Sequence, residues 1–393
     1  MKKIISLFMI FTIIFTLGMN IFAETAIKNE AENEQINSSA IDVEAKSAVL
    51  MEATTGKILY SKNEEAAYSP ASVTKIMTLL LAVEALDKGK FKLDDTVSVS
   101  EYAASMGGSQ VFLKEGECIT VEELLKCTVI ASANDAAVAL AELVCGSENA
   151  FVAAMNSRAM ELGLKSTNFE NVTGLDDTTK NHVTSALDIA VMSRELIKHS
   201  VILKYSSVWQ DTIRNGEFTL TNTNRLVRFY DGCNGLKTGS TDKAGYCMSA
   251  TAKRDGMQLI AVVMGAETRD KRNEIARNLL DYGFANYSYY SAPEEMLEEV
   301  PVRFGKTDSI CIYSAPFSAV VGKAKASDVE KIFNIPEYIS APLEEGDTFG
   351  KVEYILDGEK IGESAIYTKE TVEKITLFGL YAKLLEKIFV NKK

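Results

Sequence analysis

Three short polar words, separated by long stretches of chain, set the strongest constraint on how this sequence can fold: Ser72-Val73-Thr74-Lys75, Ser132-Ala133-Asn134 and Lys237-Thr238-Gly239. If they act together, the chain between them must bring all three to one place. In the first word, residues i and i+3 share a helical face, so the Lys75 amine can reach the Ser72 hydroxyl. A serine hydroxyl is a poor nucleophile until an adjacent base takes its proton, and lysine can serve in place of histidine. The flanking residues support a helix. Pro70 suits a first turn, and Ile76, Met77, Leu79, Leu80 and Val83 continue an apolar face. Ser72 is therefore expected near a helix N-terminus, where unpaired backbone N–H groups favour a developing oxyanion.

Taken singly, two of the words are common. Ser-x-x-Lys recurs at Ser240-Thr241-Asp242-Lys243, and Ser-x-Asn at Ser61-Lys62-Asn63, Ser147-Glu148-Asn149 and Ser166-Thr167-Asn168, whereas Lys-Thr-Gly stands alone. In this order the trio is the signature of penicillin-binding proteins and class A β-lactamases. The surrounding residues narrow the likeness. The stretch Ser69-Pro70-Ala71-Ser72-Val73-Thr74-Lys75-Ile76-Met77-Thr78 resembles the nucleophile segment of the low-molecular-mass penicillin-binding proteins, the serine D-alanyl-D-alanine carboxypeptidases. So does Asp231-Gly232-Cys233-Asn234-Gly235-Leu236 leading into Lys237-Thr238-Gly239 and on to Tyr246. Asn171-Val172-Thr173-Gly174-Leu175, followed by His182 and Asp188, is a third block of this kind. The resemblance runs closely over 45–287 and more loosely to the C-terminus, where the family carries a small β domain and a membrane anchor.

The resemblance implies a role for each matching residue. Ser72 is the acylated nucleophile, Lys75 its base, and Ser132 relays a proton to the departing D-alanine. Asn134 bonds the peptide amide, Lys237 supplies positive potential, and Thr238 binds the terminal carboxylate. Gly239 lets the substrate approach the strand edge. The oxyanion hole uses the N–H groups of Ser72 and Ser240, each such donor being worth about 10²–10³ in turnover. Arg272 is an additional carboxylate ligand. Lys62 and Lys243 are expected in solvent. The implied substrate is a peptidoglycan stem peptide, with β-lactams as inhibitors and no cofactor or metal.

Lys2 and Lys3 precede an apolar run that ends at Ile21-Phe22-Ala23, which reads as an export signal (1–23) cleaved after Ala23, with an uncleaved anchor as the alternative. Residues 24–44, rich in Glu, Asn, Ser and Ala, read as a flexible spacer. A formal net charge of −12 without internal basic blocks argues against nucleic acid as a partner. Six cysteines in an exported chain raise the question of disulfides, but most lie in apolar stretches and read as free, buried thiols. The two histidines, His182 and His199, lack helical metal spacing, which disfavours a zinc peptidase.

Residues 47–60 read as a hairpin turning at Thr54-Thr55-Gly56, and the chain from 71 to about 204 has helical periodicity. Strands return at 245–252 and 258–265, and a helix over 270–284 closes this part. The pattern predicts an α/β (α+β) catalytic domain over 45–290, an antiparallel sheet with helices on its faces and a helical subdomain. That agrees with the serine β-lactamase/transpeptidase-like fold implied by the resemblance. From 293 to 370 the texture becomes short β segments, 300–304, 309–313, 348–356 and 360–367, which predicts a small all-β domain. Over 371–393, Leu377, Phe378, Leu380, Tyr381, Leu384, Leu385, Ile388 and Phe389 recur at helical spacing beside lysines. This amphipathic helix is too short and charged to span a bilayer. It either docks on the β domain or lies in a membrane interface; export and the resemblance favour the outer face of the cytoplasmic membrane.

The function expected is a serine DD-carboxypeptidase acting through an acyl-Ser72 intermediate. A class A-like β-lactamase is the first rival, disfavoured by Ser-Ala-Asn in the middle word. The chain also lacks a Glu-x-x-Leu-Asn element, for which Glu161-Leu162-Gly163-Leu164-Lys165 does not serve. A non-catalytic peptidoglycan-binding protein is the second, disfavoured because every catalytic side chain is present. Transpeptidase or endopeptidase activity depends on cleft shape and stays open.

Overall fold

The structure, a computed structural model, describes residues 41–390 apart from Asp42 and Thr178, with side chains described as far as 385. The expected signal segment and nearly all of the spacer lie outside the described residues. The chain divides into two compact units.

The first unit is organised by a five-stranded sheet. Strands β1 (Ser47–Glu52) and β2 (Ile58–Lys62) form the expected antiparallel hairpin. Its turn is closed by Glu52, whose carboxylate accepts from the backbone N–H of Thr54 (3.0 Å) and of Thr55 (2.7 Å). Strands β3 (Cys233–Thr241), β4 (Gly245–Arg254) and β5 (Met257–Ala266) complete the sheet in the order β2-β1-β5-β4-β3. All of β1 is buried because the strand sits inside the sheet.

Helix α1 (Lys75–Asp87) is buried on almost every side rather than along one stripe. It packs against α3 (Asn134–Cys145) and α5 (Ala186–Leu196), and more lightly against α2 (Val121–Ile130) and α4 (Glu148–Glu161). A helix surrounded in this way needs apolar residues all round. Helix α2 opens with a capping box: Thr120 Oγ1 accepts from Glu123 N at 3.2 Å, and the Glu123 carboxylate accepts from Thr120 N at 3.3 Å. A two-stranded hairpin, Thr96–Ser98 with Cys118–Thr120, interrupts the helical middle and was not legible in the periodicity. Helix α6 spans Arg269–Asn286.

The second unit is mostly β. Its strands are β6 (Tyr287–Ala292), β7 (Glu295–Arg303), β8 (Ser309–Ser314), β9 (Phe317–Gly322), β10 (Glu330–Asn334), β11 (Ile339–Ser340), β12 (Thr348–Leu356) and β13 (Glu359–Thr368). They form a six-stranded sheet, β10-β12-β13-β8-β7-β11, and a β6-β9 pair. β6 pairs with β9 from Tyr287↔Gly322 to Ala292↔Phe317, so the β segments begin before Pro293, where the sequence reading began them. Nothing breaks the chain between helix and strand there, which hid the change. The core holds Val300, Ile310, Ile312, Val352 and Ile366, with Phe317 stacked on Tyr354 at 4.0 Å between ring centroids.

The terminal helix, α7 (Leu377–Val390), starts later than the expected 371, because Val372 is buried in the β core and pairs with Leu343. Among the described residues no single helix is long and apolar enough to cross a membrane.

Replacing Phe317 by alanine removes the ring stacked on Tyr354. It is expected to destabilise the β unit by about 2–4 kcal/mol, read as a lower urea midpoint of its unfolding transition.

Candidate active site

Ser72 lies in a 3₁₀ turn, Ala71–Thr74, that runs directly into α1. In such a turn residues i and i+3 eclipse one another, so the expected pairing holds although the first turn is not α-helical. Lys75 Nζ donates to Ser72 Oγ at 3.0 Å and to the Thr173 carbonyl at 2.8 Å. The third sequence block therefore reaches the site through its main chain, a role its side chains did not advertise. Gly174 makes this approach possible: its φ is +83°, and a Cβ there would lie 1.8 Å from Ala71 O.

His182 supports the same turn. Its Nδ1 accepts from Glu170 N at 3.0 Å, so Nε2 carries the proton and donates to Thr74 Oγ1 at 2.7 Å. Burial lowers its pKa to about 4, which keeps the ring neutral.

Ser132 joins α2 to α3 with φ +64°, a conformation costly for serine that persists only where its surroundings hold it. Its Oγ accepts from Lys237 Nζ at 2.7 Å, and Lys237 also donates to the Thr238 carbonyl at 2.9 Å. Asn134 Nδ2 donates to Gly107 O at 2.7 Å, while its Oδ1 is buried with no partner among the described residues. An acceptor left open in this way calls for a donor from outside the chain. Asp135, not singled out in the sequence, is fully buried and accepts from Val111 N (3.1 Å) and Leu113 N (3.0 Å), tying the preceding loop to α3.

On β3, Thr238 Oγ1 donates to Thr223 Oγ1 at 2.8 Å. A Cβ on Gly239 would lie 2.8 Å from Ser72 N and 2.9 Å from Val73 N, so this glycine is required by the close approach of the strand to the Ser72 turn. Ser240 and Arg272 line the same cleft of about 620 Å³ as Ser72, Ser132 and Thr238. Arg272 is buried, its guanidinium bonded to Asn273 Oδ1 (3.0 and 3.2 Å). Of the two lysines set aside, Lys243 is exposed, but Lys62 is not simply solvated: it donates to Val43 O at 2.6 Å. Thr223, Trp209, Arg225, Phe229 and Arg269 also line the cleft. No motif marked them, since each comes from a loop or an element end whose position only folding defines.

Burial first, and neighbouring charge second, set the protonation of the two lysines. Burial, and next the positive Lys237, hold Lys75 well below the ordinary lysine range, opposed in part by Asp135. Lys237 is lowered to about 7, by burial first and then by Arg272. An amine that sheds its proton this readily can take one from the serine it touches.

Two lysine–serine couples facing one cleft make this a serine hydrolase of the penicillin-binding type. Comparison with known proteins makes the class specific: residues 33–268 match the family model described as D-alanyl-D-alanine carboxypeptidase, and 284–374 match the penicillin-binding protein 5 C-terminal domain. The chain belongs to the D-alanyl-D-alanine carboxypeptidase family. It is 44% identical over 381 residues to D-alanyl-D-alanine carboxypeptidase DacF of Bacillus subtilis (strain 168), covering 95% of each chain. It resembles the solved penicillin-binding protein 5 of Haemophilus influenzae (TM-score 0.74, 32% identity, 85% of this chain and 99% of that one). It is also similar to penicillin-binding protein D2 of Listeria monocytogenes, solved in its ampicillin-bound form (TM-score 0.57, 31% identity, 62% of this chain and 99% of that one).

As a base Lys75 would act through its neutral amine, and the positive Lys237 disfavours its protonation. Lys237→Met removes that repulsion and raises the Lys75 pKa, so the acid limb of Ser72 acylation is expected to move to higher pH. A limb that stays in place or moves to lower pH would refute the coupling; the readout is the position of the limb, since the rate falls in any case.

Proposed function

We propose that the DD-carboxypeptidase reaction of this chain runs through Ser72 with the roles expected from its sequence. Lys75 takes the Ser72 proton as Oγ attacks the carbonyl carbon between the last two D-alanines of a peptidoglycan stem peptide. The N–H groups of Ser72 and Ser240 receive the oxyanion. As the tetrahedral intermediate collapses, the C–N bond breaks and Ser132, bonded to Lys237, passes a proton to the departing amine. Water then hydrolyses the ester and frees Ser72. Thr238 and Arg272 hold the terminal carboxylate, and the open Asn134 Oδ1 accepts an amide N–H of the peptide. A β-lactam presents the same carbonyl with its leaving amine tethered, so it acylates Ser72 and departs slowly.

The observation that carries this reading is the buried Lys75 amine 3.0 Å from Ser72 Oγ. The test is incubation of signal-free protein with a D-Ala-D-Ala-terminated peptide beside a labelled penicillin. D-alanine release and a long-lived adduct are expected, both abolished in Ser72→Ala. Either activity surviving that substitution removes Ser72 as nucleophile.

We further propose that the protein is exported and attached peripherally to the outer face of the cytoplasmic membrane by α7. Supporting this, Leu377, Phe378, Tyr381 and Leu384 are 88, 84, 62 and 52% exposed, while Lys383 reaches Asp308 at 2.7 Å. The helix is thus tied to the β unit by a lysine and leaves its apolar residues uncovered, as an interfacial helix requires. Truncation after Thr376 keeps Val372 in the core. It is expected to release the mature protein from membranes with soluble D-alanine release intact; a truncated form that still pellets with membranes would refute the attachment.

A further inference from the structure

Residues 106–116, between the helix Glu101–Ala104 and the strand Cys118–Thr120, belong to no helix or strand, so no ladder of their own pairs their backbone groups. Two of the carbonyls serve the active site: Gly107 O accepts from Asn134 Nδ2 and Ser109 O from Asn134 N, both at 2.7 Å. Two more, Val111 O and Phe112 O, accept from Arg214 Nη1 at 3.0 Å and Nη2 at 3.2 Å. Asp135 takes the N–H groups of Val111 and Leu113, so the stretch after Ser109 is held through donors and acceptors alike.

Arg214 is itself braced. It stands at the turn of the hairpin that pairs Gln210–Ile213 with Phe218–Thr221, and its backbone N–H donates to the Glu123 carboxylate at 2.8 Å. Its Nε and Nη2 donate to the two oxygens of Glu117 at 2.7 and 3.1 Å, and its guanidinium lies 5.5 Å from the centroid of the Phe218 ring. A planar fork with five donors can serve a carboxylate and two carbonyls at once, which an ammonium cannot. Arg214 stands outside the set of residues that line the cleft, whereas Ser109 lines it, so any effect of the arginine on the site passes through the loop.

We propose that Arg214 is a positioning residue for the reaction: by holding the two carbonyls that follow Ser109 it fixes the loop carrying Gly107 and Ser109, and through them the direction in which the Asn134 amide faces the cleft. The proposal rests on the reading of Asn134 as the partner of the peptide amide and alters no step of the chemistry. An amide whose nitrogen is tied to Gly107 O presents its oxygen elsewhere, and the buried, unpartnered Oδ1 is that oxygen. Once the loop is released, the Asn134 amide can turn about its last bond and offer a donor where an acceptor is needed. A ligand with an amide beside the reacting carbonyl then loses a partner, and a ligand without one loses nothing.

The test compares acylation of Ser72 by benzylpenicillin, which carries a side-chain amide, with acylation by penicillanic acid, the same ring system without it, read as protection against a labelled penicillin. Arg214→Met is expected to lower the ratio of the two rates about tenfold, the net worth of roughly one well-placed hydrogen bond. Because the ratio is taken within each variant, partial loss of folded protein does not move it. Arg214→Lys keeps a charge beside Glu117 without the fork; it is expected to lower the ratio about threefold, and it serves if the first variant does not fold. Asn134→Ala is expected to lower the ratio by itself, with Arg214→Met adding nothing in that background. A ratio that falls with Asn134→Ala and stays unchanged in the folded Arg214 variants overturns the positioning role alone. A further fall in the double variant overturns the route through Asn134. A ratio that Asn134→Ala does not move removes Asn134 as the amide partner, and the proposal falls with it.

Discussion

A lysine amine kept dry beside a serine hydroxyl is the condition on which the rest of this active site depends. In water Lys75 would hold its proton and Ser72 would stay inert. Burial and the nearby Lys237 tilt the amine toward neutrality, and the Thr173 carbonyl fixes where it points. Each of those conditions comes from a different stretch of chain: β3 brings Lys237, and the loop after α4 brings Thr173 and Gly174. The helical bundle around α1 supplies the dryness. A pair of this kind cannot be carried by a motif alone, because what lowers the pKa of the amine is first of all the exclusion of water from around it.

The fold was legible to the extent that it followed from periodicity and turn chemistry. The first hairpin, strands β4 and β5, the helix after them and four of the later strands stood out because apolar spacing and glycine turns agree there. What stayed hidden had no such agreement. Thr96–Ser98 and Cys118–Thr120 are too short to show a period, and β6 follows α6 without a break. Val372 gave no sign that the chain returns to the β core before the last helix.

The site divides along the same line. Ser72, Lys75, Ser132, Asn134, Lys237, Thr238 and Gly239 were visible because their chemistry lies in side chains, or the lack of one, at fixed spacing. Thr173 acts through its carbonyl, Asp135 through the backbone it ties down, and His182 through Thr74. Main-chain and supporting roles leave little trace in residue type. Arg225 and Arg269 belong to the cleft only because folding brings two separate stretches of chain together there.

The clamping of the nucleophile turn has a consequence for the chain as it is made. Ala71 is pressed by Gly174 and the Ser72 backbone by Gly239, both from segments synthesised much later. The enclosure of the Lys75 amine is therefore complete only once the chain through Gly239 has been made and has folded back onto this turn. The environment of this one amine thus depends on stretches of chain about 100 and 165 residues further on, and it reports completion of the whole unit rather than of its own helix.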